Sequence, residues 1–347
     1  SYYDSSLVDG MAGSVNTPPN KDIRWEKTTT VNVGVDFALF RHRLSGTIEY
    51  YNKYSVDLLA AINGSPTQGF GYTTLMTNNG KMVNRGVEIT LSGEIIRQKD
   101  FSWNASLLYA FNRNKVKHIS VQPSLWDSRI SMPTSYPMVG KPLYGIYAYK
   151  WAGLNENGDP QVYDAENNVT SGPARDYHAL VYCGTTVPIH NASLTNVLRY
   201  KGFEFSAMLI LDAGHKLRSS NIPSINMSNG RITSTAKGIV DRWTQPGDVT
   251  DVPRLLFSND TENFNTHRTE LYRYSDLFVY DASNIRLSNI SLAYRVPAHW
   301  CKKISLSGAR LQFNVENVAT FAFDSKANYD LGGKVKPNYV WGLYLNF

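Results

Sequence analysis

Residues 31–51 read VNVGVDFALFRHRLSGTIEYY and contain two alternating segments joined by a short polar turn. In the first segment, the valines, phenylalanine and leucine at 31, 33, 35, 37 and 39 alternate with smaller or polar residues. Successive side chains of a β-strand point to opposite faces, so this segment predicts one apolar and one polar face. Residues 44–51 alternate in the same way after the turn at 41–43. The two segments therefore predict an antiparallel hairpin.

The length of these strands bears on the class of protein. Each has about ten residues, longer than the roughly 5–6 of soluble sheets and close to the about 9–11 that cross a bilayer at a tilt. No apolar run approaches the roughly 20 residues of a membrane-spanning helix. Aromatic residues make up 12% of the chain, which suits strands. The sequence excludes a helical membrane protein and allows a transmembrane barrel.

Charge and cysteine content exclude other classes. The 35 basic residues are dispersed among 29 acidic ones, so the net charge of +6 predicts a solvated surface and no nucleic-acid partner. Two cysteines cannot form a disulfide scaffold, and we expect no bridge between Cys183 and Cys301, which the topology places at opposite ends of a barrel. The first residues lack the features of a secretory signal, so we expect either a mature protein or further residues upstream.

Alternation continues along the chain and predicts nine membrane strands. Three more hairpins lie at 83–111, 194–211 and 285–316, and a last strand runs from Tyr339 to Phe347. A β-bulge is expected near Ser288 and Asn289, and an accessory strand at 143–151. The connections alternate between short ones at 41–43, 95–100, 201–202 and 297–303 and long ones at 54–81, 112–191, 212–283 and 317–337. Bacterial outer-membrane barrels have this asymmetry of tight periplasmic turns and long extracellular loops.

An odd number of strands predicts that this chain is only part of a barrel. Single-chain bacterial barrels have even strand counts, and two open edges in lipid would leave costly unsatisfied backbone groups. We therefore expect an extracellular loop at 1–30, followed at 31–347 by the C-terminal part of a transmembrane antiparallel β-barrel. The remaining strands and outer-membrane lipid are its expected partners.

Alternation also predicts which side chains face lipid and which face the lumen. The apolar set expected to face lipid comprises Val31, Val35, Phe37, Trp103, Tyr109, Phe205, Leu209, Phe313, Trp341 and Leu345. The polar set expected to face the lumen comprises Asn32, Asp36, Glu49, Glu88, Asn104, Glu204, Arg310, Gln312, Asn314 and Glu316. Charges on that face predict a wet or plugged interior.

Seven segments, taken in order, resemble the SusC/RagA-type TonB-dependent outer-membrane transporters. They cover nearly the whole chain: DIRWEKTTTVNVGVDFALFRHRLSGTIEYYNKYSVDLL (22–59), NGKMVNRGVEITL (79–91), FSWNASLLYAFNRNKV (101–116), VGKPLYGIYAYKWAGL (139–154), LRYKGFEFSAML (198–209), RWTQPGDVTDVPRL (242–255) and IRLSNISLAYRVP (285–297). The resemblance implies a 22-stranded plugged barrel of the outer membrane, of which this chain is the C-terminal portion.

The resemblance also implies partners. Such a transporter would be driven by the TonB–ExbB–ExbD complex and covered by a SusD-like surface lipoprotein that captures oligosaccharides or oligopeptides. The plug, the TonB-contacting segment and the first strands are absent from this sequence, so no residue is assigned to energy coupling. Phe347 resembles the terminal aromatic residue used in barrel assembly.

Motifs of catalysis are lacking. The sequence contains no GxSxG, HExxH, phosphate-binding loop or GxGxxG in a suitable context, and its seven histidines are dispersed. The segment from Asn155 to Glu166 resembles a calcium loop only weakly, because Pro160 stands where the turn requires glycine. We expect neither enzymatic activity, nor a cofactor, nor a bound metal.

Cargo contacts are expected on the outer loops and the upper lumen, where aromatic faces can stack and polar groups can hydrogen-bond. Each position has an alternative interpretation as an ordinary loop-packing residue. Around 242–254, Arg242, Trp243 and Arg254 are interpreted as architecture that pins the long loop. The candidates by position are Tyr72, Asn78, Trp126, Asp127, Arg129 and Asn265.

Three classes of function fit the sequence. An energy-coupled nutrient importer leads. A passive porin would share the barrel without a plug or lipoprotein partner, and a soluble β-sandwich binding module would half-bury the same alternating strands.

Overall fold

The computed structural model describes residues 2–5, 10–13, 20–63, 74–119, 127–227, 235–257, 266–303, 305–331 and 336–347. Its main feature is a nine-stranded antiparallel sheet in which every strand pairs with its neighbour in the chain. This confirms the predicted count of nine. The strands are β1 (Lys27–Leu39), β2 (Leu44–Asn63), β3 (Thr74–Arg97), β4 (Phe101–Ile119), β5 (His190–Tyr200), β6 (Phe203–Ala213), β7 (Asn284–Arg295), β8 (Gly308–Ala322) and β9 (Asn338–Asn346).

Strands β2 and β3 are longer than alternation predicts. Residues 54–63 and 74–81 belong to the paired ladder, so the predicted bounds of the first long loop, 54–81, are wrong. The ladder continues through irregularities on either side of Leu58 and through Asp57, which has φ 56°. The β2 extension at 54–63 (YSVDLLAAIN) is largely apolar but does not alternate, and its register shifts around Leu58, so a period of two does not reveal it. Strand β1 likewise begins at Lys27, before the expected boundary at residue 30.

Other predicted features lie close to their observed positions. The other long connections begin after Ile119, Ala213 and Ala322 and end before β5, β7 and β9. The register of β7 shifts between Leu287 and Asn289 against both neighbours, which confirms the bulge. The accessory strand is confirmed at Gly145–Tyr149 and pairs with Leu180–Thr185.

Short elements fill the connections. The remaining strands are Tyr2–Ser5, Gly10–Gly13, Trp151–Leu154, Pro160–Tyr163, Val169–Thr170, Lys216–Arg218, Asn226–Met227, Leu256–Phe257 and Val279–Asp281. The α-helices are α1 (Ser128–Ser131), α2 (Thr266–Arg273), α3 (Ala298–Lys303) and α4 (Asn328–Leu331), and the 3₁₀ turns are Tyr177–Ala179, Lys237–Asp241, Asp276–Phe278 and Ser325–Ala327. Across the described ranges, no helix combines the length and apolarity of a membrane span.

The register sorts the side chains of the sheet onto two faces, because residues directly opposite each other in an antiparallel pair share a face. Followed from β1 to β9, it brings all ten residues of the predicted lipid set onto one face. Large apolar side chains on that face are open to the surroundings; Val35 is 62% exposed and Trp341 78%. We call this the apolar face and the opposite one the polar face.

The buried core of the chain lies away from the sheet. It is formed by the described residues of the β4–β5 connection (127–185) and of the β6–β7 connection (214–227, 235–257 and 266–283), which we call the loop assembly. Strand Gly145–Tyr149 is buried throughout, and its tyrosines pack with Val162, Leu180 and Leu271. A second cluster contains Ile225, Tyr272 and Phe278.

Candidate transport surface

The polar face carries most of the charged residues of the sheet, whereas Arg85 and Arg113 lie opposite each other on the apolar face. The ten residues expected to face the lumen lie together on the polar face, because Glu49 stands opposite Glu88, Glu204 opposite Ala293, and Ala293 opposite Gln312. The register thus brings the predicted set onto one surface. That this surface lines a lumen stays a prediction.

Hydrogen bonds cross between strands on the polar face. The Thr47 hydroxyl donates to Asp36 Oδ1 over 2.6 Å, and Arg286 Nη2 donates to Asp212 Oδ2 over 2.8 Å. Gln312 Nε2 on β8 donates to the Ser291 hydroxyl on β7 over 3.4 Å. These side chains have hydrogen-bonding neighbours, as on a surface that contacts water and polar solutes.

Two pairs of polar side chains on the apolar face contact each other. Trp103 Nε1 donates to Asn196 Oδ1 over 3.0 Å, and the Tyr109 hydroxyl lies 2.8 Å from His190 Nδ1. Opposite positions place all four residues on this face. A tryptophan N–H or tyrosine O–H in an apolar environment needs such a partner. These pairs therefore fit a surface in contact with hydrocarbon.

The loop assembly is held together by a buried arginine. Arg268 on α2 is 2% exposed, and its Nε donates to Asp159 Oδ1 over 2.7 Å. Its Nη1 and Nη2 donate to Asn226 Oδ1 and to the Arg254 carbonyl oxygen. Arg254 also donates through Nε and Nη2 to the two Asp159 oxygens, over 3.0 and 2.8 Å. The Asp159 carboxylate thus accepts hydrogen bonds from two arginines that lie far from it in the chain.

These contacts bear on two sequence hypotheses. The pinning role of Arg254 agrees with its bonds to Asp159. The calcium-like segment uses its oxygens elsewhere: Asn155 Oδ1 accepts from the N–H groups of Asn157 and Asp159, and Asp164 Oδ1 accepts from two more. Within the described ranges, no group of three metal-ligating side chains is suited to hold an ion.

Two further bonds join separate connections to one another. Arg218 Nη2 donates to the Tyr147 carbonyl oxygen over 2.7 Å. Asp330, at the β8–β9 connection, accepts from the Ser219 hydroxyl over 2.7 Å and from the Ser220 N–H over 3.0 Å. Hydrogen bonds therefore link the connections that follow β4, β6 and β8.

The structure describes only some of the candidate cargo residues. Tyr72, Trp126 and Asn265 lie outside the described residues. Asn78, on β3, donates through Nδ2 to the carbonyl oxygens of Arg24 and Asp57, and its Oδ1 accepts from the Arg24 N–H. These bonds tie the residues before β1 and Asp57 of β2 to β3, and a role of Asn78 in cargo binding stays a prediction.

Asp127 and Arg129 come together at α1. The carbonyl oxygen of Asp127 accepts from the N–H of Ile130, and the Arg129 guanidinium lies 4.8 Å from the Tyr177 ring centre. Neighbouring Asp176 accepts from the backbone N–H and ring of His178, which together hold the pKa of its carboxyl below the usual value. Burial raises the pKa of Tyr149 in the adjacent core.

A cavity of about 350 Å³ lies where β2, β3 and β4 reach the loop assembly, and we call it the long-loop cavity. Alternation gave no signal for it, because it forms only where residues 134–143 meet strands that extend beyond the alternating segments. Its wall is mainly apolar with a few polar groups, and it comprises Glu26, Leu58, Leu59, Met76, Gly80, Lys81, Met82, Val116, His118, Ile119, Thr134, Ser135, Pro137 and Leu143.

A long antiparallel sheet with one exposed apolar face, one charged face and a folded assembly at one end defines the wall of an outer-membrane β-barrel. Comparison with known families is specific: the family described as "TonB dependent receptor-like, beta-barrel" matches residues 1–318. The chain belongs to this family of transporters, whose members are outer-membrane proteins.

Individual relatives agree. The chain is 25% identical to TonB-dependent receptor P3 of Formosa agariphila over 93% of its own length and 33% of that protein. It is 25% identical to TonB-dependent receptor SusC of Bacteroides thetaiotaomicron over 86% of its length and 29% of that protein. A solved structure of the RagAB peptide transporter shares the fold, with a TM-score of 0.77, 22% identity and coverage of 100% of this chain and 38% of that one. The chain spans about a third of the length of the curated relatives it matches.

The expected absence of a disulfide agrees with the structure. Cys183 and Cys301 are both free. Cys183 lies on the loop-assembly strand Leu180–Thr185, whereas Cys301 lies on α3 in the turn between β7 and β8.

Proposed function

We propose that this chain is part of the barrel wall of a TonB-dependent importer that takes up oligopeptides or oligosaccharides with a SusD-like lipoprotein as its lid. The observation that carries the proposal is the division of the nine-stranded sheet into an exposed apolar face and a charged face, in a chain of the TonB-dependent receptor family. The apolar face meets lipid and the polar face lines the path of the cargo.

The long-loop cavity supports a peptide cargo over a glycan. Its leucine, methionine, valine and isoleucine side chains suit apolar groups, whereas glycan sites present stacked aromatic rings and many hydrogen-bonding groups. A cavity of about 350 Å³ can hold one or two amino-acid side chains. The RagAB neighbour, described as a peptide transporter, supports the same choice.

The experiment is uptake by cells that express the full-length protein with its neighbouring lipoprotein. A fluorescent oligopeptide mixture and a fluorescent oligosaccharide mixture are compared with and without a protonophore. Energy-dependent uptake of peptide supports the proposal. Uptake that the protonophore does not reduce would identify a passive porin. Energy-dependent uptake of the oligosaccharide mixture alone would show that the cargo is a glycan and not a peptide.

The cavity itself can be tested in the same assay. We expect Met82→Glu to reduce peptide uptake, because it introduces a charge into the apolar wall. The matched control is Ser55→Glu, since Ser55 lies directly opposite Met82 on β2 and does not line the cavity. Equal uptake by the two variants would contradict a cargo site in this cavity.

A further inference from the structure

The apolar face carries positive charge toward the end where the connections are long. Arg85 on β3 lies directly opposite Arg113 on β4, and Lys115 lies two residues further along β4 on the same face. We call these three residues the basic group, and their side chains are exposed. Among the paired residues of the nine strands, this face carries no aspartate or glutamate. Like charges directly opposite each other destabilise a sheet, so the strands alone do not favour the group.

The chain supplies the basic group with neutral and cationic neighbours. Arg85 Nε donates to Asn52 Oδ1 over 2.9 Å. Lys141, from the β4–β5 connection, adds a positive charge nearby, with its Nζ 5.0 Å from the Tyr182 ring centre. Burial raises the pKa of the Tyr182 hydroxyl, and the charge of Arg113 opposes that rise, so Arg113 acts on the same ring. In the described part of the chain, no ion pair joins the basic group to a carboxylate.

The basic group lies at the height where lipid headgroups begin. On β4, the apolar face runs from Trp103, beside a short turn, to Phe111, just before Arg113, and its side chains there are all apolar or aromatic. These roughly nine residues, at about 3.3 Å each and a tilt of about 40°, rise about 20–25 Å, close to the height of the apolar band of outer-membrane barrels. Short turns are periplasmic in such barrels. The basic group is therefore at the extracellular boundary of the hydrocarbon layer.

We infer that the basic group binds the phosphate groups of an outer-leaflet glycolipid, whose acyl chains lie on the apolar face below it. The bilayer surrounds this face, and an anionic lipid provides the counter-charge that the described chain does not. Guanidinium groups bind phosphate through paired N–H donors, and side chains directly opposite each other are close enough to share one phosphate. A zwitterionic phospholipid fits less well, because its own ammonium group offsets its phosphate. The ligand class is therefore a lipid with phosphate monoesters, such as lipid A.

Lipid titration of the full-length protein in detergent tests this site. Bound lipid is counted by native mass spectrometry with phosphorylated lipid A and with the same lipid after removal of its phosphates. We expect Arg113→Gln to weaken binding of the phosphorylated lipid about fivefold, because one basic side chain near an anionic membrane surface contributes about that factor. The double variant Arg85→Gln/Arg113→Gln should lose more than about tenfold. Arg113→Lys keeps the charge and should retain most of the binding.

Lys53→Gln is the matched control. Lys53 lies on β2 opposite Asn84, one residue from the level of Arg85 but on the polar face, and its side chain is also exposed. Its removal should leave lipid binding unchanged. The dephosphorylated lipid should bind the wild type and all variants equally, because its acyl chains contact only the apolar face. Folded barrels are selected by their heat-modifiable mobility in gel electrophoresis. Should the double variant fail to assemble, Lys115→Gln should weaken binding with the same sign.

Three results would overturn the phosphate site. The first is equal binding of the phosphorylated lipid by the double variant and by Lys53→Gln. The second is a wild type that binds the phosphorylated and dephosphorylated lipids equally, which would leave the apolar face as a lipid surface without headgroup recognition. The third is inorganic phosphate that binds the wild type as tightly as the lipid does, which would identify a site for free anions. None of these results depends on which cargo the protein imports.

Discussion

Replacing Arg268 by methionine tests whether a single buried group organises the loop assembly. Methionine retains an apolar stem but removes the donors to Asp159, Asn226 and the Arg254 carbonyl oxygen. Asp159, whose side chain is 17% exposed, keeps Arg254 as a partner. Removing one member of a buried network costs about 3 kcal/mol. We expect the free energy of opening of the loop assembly to fall by that amount.

Native-state hydrogen exchange, followed by mass spectrometry on the full-length protein in detergent, measures this opening. Two backbone N–H groups serve as reporters. The Arg254 N–H donates to the Gly158 carbonyl oxygen, and the Leu256 N–H donates to the Ile225 carbonyl oxygen. A loss of about 3 kcal/mol lowers their protection about a hundredfold. Peptides from β6 and β7 should keep their protection, because the sheet is held by its own ladder.

Arg175→Met is the matched control. Arg175 pairs with Glu270 over 3.3 Å, but its side chain is 48% exposed. An exposed pair contributes about 1 kcal/mol or less, so protection should fall about fivefold at most. Equal effects of the two substitutions, or a loss of protection that spreads into the barrel strands, would refute the argument that buried charge at Arg268 organises this unit.

Three other predictions concern the two faces of the sheet, the Cys183 thiol and the backbone of Gly158. Leu194→Arg places a charge on the apolar face and should lower folding stability in lipid by about 2–4 kcal/mol, whereas Thr195→Arg, one residue further and on the polar face, should cost under about 1 kcal/mol in the same urea titration. Burial raises the pKa of the Cys183 thiol to about 11, so alkylation at pH 8 in a variant without the other cysteine should be about a hundredfold slower than that of a free thiol. A rate within tenfold of a free thiol would contradict that burial. Gly158 has φ 73° and an added Cβ would lie 2.4 Å from the Trp243 ring, so Gly158→Ala should speed proteolytic cleavage at 243–250, with a cost of about 1–3 kcal/mol.

Alternation along the strands was enough to predict the sheet. A one-residue slip of the pairing moves every side chain of a strand to the other face. In residues 31–39, large apolar side chains at odd positions alternate with small or polar ones at even positions, and this contrast strongly specifies the register. The break in alternation at Ser288 likewise predicted the bulge that the structure shows. Face assignment therefore followed from a local property with a period of two.

The hydrogen bonds that hold the loop assembly could not be predicted from alternation. Asp159 bonds to Arg254 and Arg268 across 95 and 109 residues of chain, and nothing in the spacing signals those partners. The extensions of β2 and β3 are paired through their backbones, but residues 54–63 do not alternate and the register shifts around Leu58, so they carry no signal with a period of two.

The fastening of separate connections has a consequence for the rim of the barrel. Asp330 after β8 holds Ser219 and Ser220 after β6, and Arg218 holds the Tyr147 carbonyl oxygen after β4. Displacing one of these connections would strain its bonds to the others, so we expect them to move together. Under the proposed function, cargo contacts at these connections would be set by packing between loops rather than by any one loop. Substitutions that loosen one connection should alter binding at residues of the other two.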